Sequence, residues 1–219
     1  FGFKGEDKWG NPSHQVSGRF TLEPSLPVQG LPEAIDVQAG SLSTAIDTLR
    51  VEQTGELRIT VRDAQGTVVC RSNPLRIVDA GALLPYWADL HGQSEETIGT
   101  NSARDLMAFA RDRAFLDAMS HQGNDFQITD AFWQKLNRLT AEFDVPGRFV
   151  CLPGYEWSGN TGMGGDRNIF YRREGRPIRR SSHILVEGET SNSRAIWRNP
   201  EHPTRRWNTG SSSSGRRSQ

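Results

Sequence analysis

The sequence predicts an α/β protein in which an all-β, sandwich-like domain over residues 1–80 precedes a strand–helix alternation over residues 81–187. Two observations carry that expectation. The first 80 residues hold short β-branched or apolar runs separated by Gly, Pro, Asp and Asn clusters. After Asp79-Ala-Gly81 the apolar spacing changes to that of amphipathic helices, each followed by a short apolar run.

Taken in order, Gly18–Leu22, Ala34–Val37, Glu56–Val61 and Thr67–Arg71 read as strands, with one more over Leu75–Val78. Leu57-Arg-Ile-Thr-Val61, the turn Asp63-Ala-Gln-Gly66 and Thr67-Val-Val-Cys70 form the clearest hairpin. Its period of two gives one buried and one wet face. Several short strands at this spacing suggest a sandwich, one that starts incomplete at its N-terminal side. Ser102–Arg113 places Ala103, Leu106, Met107, Phe109 and Ala110 at helical spacing, with Asn101 or Ser102 as N-cap. Asp130–Phe143 is a second helix with Phe132, Trp133, Leu136, Leu139 and Phe143 on one face. Thr129 or Asp130 caps it and Pro146-Gly147 stops it. Strands are expected at Phe149–Leu152 and Asn168–Tyr171. Residues 188–219 have no apolar period and carry six Arg against two Glu, so they read as a disordered or aberrant tail.

Composition narrows the function. Lys+Arg and Asp+Glu are both 26 in 219 residues, which gives no electrostatic case for nucleic acid or an anionic membrane. The mean hydropathy is −0.62 and no apolar run reaches bilayer length. The opening FGFKGEDKWG lacks an initiator Met and a signal peptide, so the chain reads as a fragment whose compartment is not legible. Cys70 and Cys151, each in an apolar strand-like run, are expected to be buried thiols rather than a bridge.

Ligand-type side chains concentrate where strands end. They lie in Tyr86–Glu96, in Asp117-Ala-Met-Ser-His121, and in Pro153-Gly-Tyr-Glu-Trp157 followed by Gly164-Gly-Asp-Arg-Asn168. Loops after the C-terminal ends of strands are where α/β proteins assemble sites, and imidazoles with carboxylates at one rim suit a divalent metal. Taken singly, a His at a strand end such as His91 or His121 is more often a hydrogen-bonded structural residue than a ligand. Glu156 stands out because an ionised carboxylate between Tyr155 and Trp157 is costly unless paired or metal-bound. Asp89 suits an orienting role toward a neighbouring His. Arg167 suits contact with an anionic substrate group. The Gly-rich stretch Gly159–Gly165 lacks the Lys-Ser/Thr ending of a phosphate loop and reads as a flexible loop. Cys151 has no base beside it, and GxSxG is absent.

These segments resemble the PHP (polymerase and histidinol phosphatase) superfamily of metallohydrolases. Asp89-Leu-His91-Gly-Gln93-Ser94 is similar to its opening D-L-H-x-H-[ST] motif, Leu116–His121 to a strand ending in Asp-His, and Gly154-Tyr-Glu156 to a strand ending in Gly-x-Glu. The phrases YWADLHGQS, TIGTNSARD, SNPLRI and PGYEWSG look most like a functionally uncharacterised bacterial branch with a β-sandwich-like region ahead of the PHP-type domain. The resemblance spans roughly residues 5 to 187. It implies that residues 81–187 are part of a distorted β/α barrel holding two or three Zn, Mn or Fe ions. The implied activity is hydrolysis, commonly of phosphoesters, on a small and phosphorylated substrate. His91, His121 and Glu156 match ligand positions. The second motif histidine is Gln93 here, a neutral and poorer ligand, and Ser120 replaces the Asp before His121. Asp166 stands where related sequences carry a His and is a further candidate ligand. The alternative is a degenerate barrel that binds a ligand without turning it over, with the β domain as recognition module.

Overall fold

The computed structural model of the chain describes residues 1–159 and 164–181. The tail expected over residues 188–219 lies outside the described residues, as do positions 160–163 of the Gly-rich loop.

Thirteen strands and two helices are described. The N-terminal part contains β1 (Gly2–Lys4), β2 (Gly18–Pro24), β3 (Ala34–Val37), β4 (Ser43–Ala45), β5 (Gly55–Leu57), β6 (Ile59–Arg62), β7 (Val68–Arg71) and β8 (Leu75–Ile77). They form one four-stranded antiparallel sheet, in the order β3-β2-β6-β7, and two separate pairs, β1-β4 and β5-β8. Phe20, Leu22, Ile35, Val37, Ile59 and Val61 point from the larger sheet into one core, where Phe3 of β1 and Leu57 of β5 meet them. Burial alternates along β6, as the period of two requires.

The run from Glu56 to Val61 is not one strand. At Arg58 the backbone N–H leaves the ladder for Ser25 Oγ (2.8 Å), and the Ile59 N–H goes to Ser72 Oγ (2.9 Å). The chain thereby changes sheets, pairing with β8 before this point and with β2 and β7 after it. Cys70 is also unlike its expectation. It lies on β7, the last strand of its sheet, whose four residues are all exposed.

The remaining elements are β9 (Ala88–Gly92), α1 (Ala103–Asp112), β10 (Ala118–His121), α2 (Asp130–Phe143), β11 (Val150–Leu152), β12 (Gly154–Trp157) and β13 (Arg167–Phe170). β9, β10 and β11 pair parallel, with a helix in each crossover, because parallel neighbours cannot be joined by a tight turn. Ser102 caps α1 by accepting the Asp105 N–H (3.1 Å), and Thr129 caps α2 by accepting the Phe132 N–H (3.0 Å). Met107 of α1, Leu136, Leu139 and Phe143 of α2, and Met119 and Cys151 of the strands share a second core. The two cores adjoin where the Ser43 hydroxyl donates to the Asp112 carbonyl (2.6 Å) and accepts from Arg113 (2.9 Å).

The expected α/β barrel is overturned. Among the described residues the sheets are small, the helices number two, and no sheet closes. Pro153, which has no N–H to donate, interrupts the chain after β11. β12 then pairs antiparallel with β13 on one edge, while Glu156 keeps a parallel bridge to Asn124 on the other. A nine-residue connection between Trp157 and Arg167 suits a hairpin and is too short for the helical crossover a further parallel strand needs. The sandwich expectation meets a similar correction. In place of two broad facing sheets there is one four-stranded sheet flanked by two-stranded pairs, because the chain switches partners at Arg58.

Candidate functional site

The site forms where β9 ends and the β12–β13 hairpin comes alongside it. Asp89 accepts the His91 N–H (2.9 Å) and so fixes the backbone at the end of β9. On the hairpin, Glu156 and Asn168 are direct cross-strand partners, which puts their side chains on one face. The hairpin reaches this position because Gly154 has no side chain. A Cβ there would lie 2.6 Å from the Ile169 carbonyl oxygen and equally close to Ser120 Oγ.

His91 Nε2 lies 3.9 Å from Glu156 Oε2, with the imidazole about half exposed at 52% and the carboxylate side chain at 10%. Asn124, whose backbone bridges to Glu156, donates its amide to the same Oε2 (2.7 Å), and Gln93 Nε2 reaches it at 3.4 Å. Asn168 closes the other side, with its Oδ1 3.0 Å from His91 Nδ1. Burial raises the Glu156 carboxyl above its ordinary value. His91 pulls it back, while Asp166 and Asp125 push in the same direction as burial. A cation between His91 and Glu156 would relieve that opposition.

The residues named from the sequence divide sharply. His91 and Glu156 are together, and Asp166 is near enough for its charge to act on Glu156. Gln93 is present but offers its N–H₂ group, while its Oε1 accepts from Thr97 (3.0 Å). Serving as a metal ligand would require turning that oxygen away from Thr97. Asp89 holds the backbone of His91 rather than its ring. Arg167 lies over the Trp157 ring with its guanidinium 5.5 Å from the centroid.

His121 is not brought into this group. It is buried, its Nδ1 accepts the Gly123 N–H (3.2 Å), and its Nε2 lies 2.8 Å from Ser94 Oγ. With Nδ1 accepting, the ring proton resides on Nε2 and is donated to Ser94. Burial pushes the His121 pKa from about 6.5 down to about 4. Ser94 in turn bonds to Glu96. Burial works against ionisation of Glu96, yet hydrogen bonds from Lys135 and Ser94 hold its pKa below the usual value. Nε2 of His121 is therefore committed to the 93–97 loop through Ser94, and Nδ1 to the backbone at Gly123. Among the described residues no group of three or more His, Cys, Asp or Glu side chains is arranged to hold a metal ion. Cys151 is buried, with its thiol pushed up to about 12 by burial, and so takes no nucleophilic part.

Asn124 and Asn168 are the site residues that sequence reasoning missed. Both lie in or beside the segments it singled out, but an amide carries no chemistry of its own that would mark it.

Residues 64–209 match the family described as "Protein of unknown function (DUF3604)", and the chain belongs to it. The chain is 25% identical over 174 residues to an uncharacterized protein of Chlamydia pneumoniae, a stretch covering 77% of this chain and 28% of that protein. It thus spans less than a third of that relative's length. No solved structure matches. Among the described residues no helix is long and apolar enough to cross a membrane.

Proposed function

We propose that this chain carries part of a metal-dependent hydrolase site of PHP type, centred on His91 and Glu156. The carrying observation is the 3.9 Å approach of His91 Nε2 to Glu156 Oε2, at the end of a β-strand. Metal–nitrogen and metal–oxygen bonds of about 2.0–2.2 Å would span that gap through a common ion. The resemblance of Asp89–Ser94 and Gly154–Glu156 to the PHP motifs supports the same reading, and Zn, Mn or Fe is the expected ion. A cation bound there would acidify a water towards a pKa of about 7 and polarise the scissile group. His91 and Glu156 would hold it, with Asp166 adding negative charge beside them. Asn124 and Gln93 steady the carboxylate. Arg167, braced against Trp157, is the cation assigned to an anionic substrate group. Phosphoester cleavage of a small substrate rests on the resemblance alone.

The test uses the whole chain, freed of metal with a chelator and titrated calorimetrically with Mn²⁺ and Zn²⁺. The loaded protein is then assayed on a panel of phosphomonoesters and phosphodiesters. Binding and turnover are expected, and both should disappear in His91→Ala and in Glu156→Ala. Absence of binding in the parent chain would overturn the proposal.

A second reading, a site that binds a ligand without turnover, is favoured by one observation. The amides of Gln93 and Asn124 already donate to Glu156 Oε2, as they would in a neutral recognition pocket. Gln93→His separates the two. A hydrolase short of one ligand should gain metal affinity and turnover, whereas a binding pocket should gain neither.

A further inference from the structure

We infer that Asn168 is a positioning residue that fixes the tautomer of His91, keeping the proton on Nδ1 and the Nε2 lone pair turned toward Glu156. Its use in holding a cation rests on the function proposed above; the tautomer itself does not.

Asn168 sits opposite Glu156 in the hairpin, so one cross-strand pair supplies both the carboxylate and the amide that face His91. The orientation of that amide is set by the backbone. Asn168 Nδ2 lies 3.4 Å from the Leu90 carbonyl oxygen, which can only accept, so the N–H₂ end must face Leu90. The acceptor end, Oδ1, is then left 3.0 Å from His91 Nδ1. An amide oxygen cannot donate, so a bond at this distance requires the proton on Nδ1. Neutral His91 therefore carries its lone pair on Nε2, the atom 3.9 Å from Glu156 Oε2. The Asp89 bond to the His91 N–H fixes the backbone beneath the ring, which leaves ring rotation and tautomer to Asn168. Partners of this kind set which nitrogen of a ligating imidazole is free, and losing one typically weakens metal binding by about 10–100-fold.

His121 provides an internal reference. Its Nδ1 accepts from Gly123, so it must hold the opposite tautomer, with the proton on Nε2.

The experiment is two-bond ¹H–¹⁵N correlation NMR on the full chain with ¹⁵N-labelled histidine, without metal, near pH 8, where an ordinary imidazole is neutral. His91→Gln assigns the His91 signals among the five histidines. The expected pattern for His91 is a pyrrole-type Nδ1 and a pyridine-type Nε2. Asn168→Ala should shift that pattern toward the opposite tautomer while His121 stays unchanged. Asn168→Asp, whose carboxylate also accepts from Nδ1, should restore it. In a parallel Zn²⁺ titration Asn168→Ala should bind about 10–100-fold more weakly than the parent, and Asn168→Asp should recover the loss. A parent spectrum with the proton on His91 Nε2, or an Asn168→Ala spectrum identical to the parent, would overturn the inference. If Asn168→Ala does not fold, the parent and Asn168→Asp spectra still decide it. A parent that shows the expected tautomer but takes up no Zn²⁺ would defeat the proposed function and leave the role of Asn168 standing.

Discussion

His91 and His121 end neighbouring strands of the same parallel sheet, yet their surroundings set them to opposite tasks. His91 is half exposed, is held through Nδ1 by an amide on a different sheet, and turns Nε2 toward a carboxylate. His121 is buried, with a backbone N–H on one nitrogen and the Ser94 hydroxyl on the other. A buried imidazole with both nitrogens satisfied adds stability and has nothing left to offer a ligand. An imidazole at a rim with one free lone pair contributes little stability and is available for chemistry. The comparison shows that two histidines at similar places near strand ends differ in burial and in the partners of each ring nitrogen.

The sharpest way to break that contrast is to remove the buried ring. His121→Ala should cost about 2–4 kcal/mol, the sum of a cavity and an unpaired Ser94 hydroxyl, measured by denaturant unfolding. A loss below about 0.5 kcal/mol would mean that the ring is not the anchor described. The pH dependence sharpens the same point. The folded-state pKa of His121 is depressed to about 4, so the unfolded chain binds the proton more readily. Its contribution is present above the unfolded value near 6.5 and is lost as pH falls from there towards 4, by about 3 kcal/mol from a shift of roughly 2.5 units. Unfolding midpoints measured between pH 7.5 and 4.5 should fall accordingly, and His121→Ala should remove that component of the slope.

Gly154 tests whether the hairpin is what delivers Glu156 to His91. Gly154→Ala should destabilise by about 1–3 kcal/mol, because the added carbon meets the Ile169 carbonyl as well as a side chain. It should also weaken metal binding without touching either proposed ligand. Thr129→Ala, which deletes only the cap of α2, should cost about 1 kcal/mol and leave metal binding alone. The smallest effect is expected at the exposed ring itself. His91→Ala should stay within about 0.5 kcal/mol of the parent in unfolding, since it removes no buried group.

Much of the local structure was legible. The 3.6-residue spacing in Asp130–Phe143 marks α2 to the residue, because apolar period is a local signal, and of the two caps the sequence offers, Thr129 and Asp130, the structure uses Thr129. The hairpin of β6 and β7 was legible for the same reason. That no sheet closes among the described residues was not, because closure depends on which strand each segment pairs with. Gly154–Trp157 pairs antiparallel with the strand that follows it and keeps only a parallel bridge to Asn124 on its other edge, and neither partner is announced locally. The split at Arg58 was hidden too, since it depends on Ser25 and Ser72 meeting the strand from distant positions. In the site, the pairing of His91 with Glu156 followed from strand ends and from the cost of a buried carboxylate. The exclusion of His121 did not, because nothing in Ser120-His-Gln-Gly123 announces that the Gly123 N–H turns back onto the ring.

The central proposal is that His91 and Glu156 share one cation, and zinc-edge anomalous diffraction from Zn²⁺-soaked crystals of the full chain tests it most directly. A single strong peak about 2.1 Å from both His91 Nε2 and a Glu156 carboxylate oxygen is the expected result. No peak between those two groups, or a peak on His121 instead, would contradict the account.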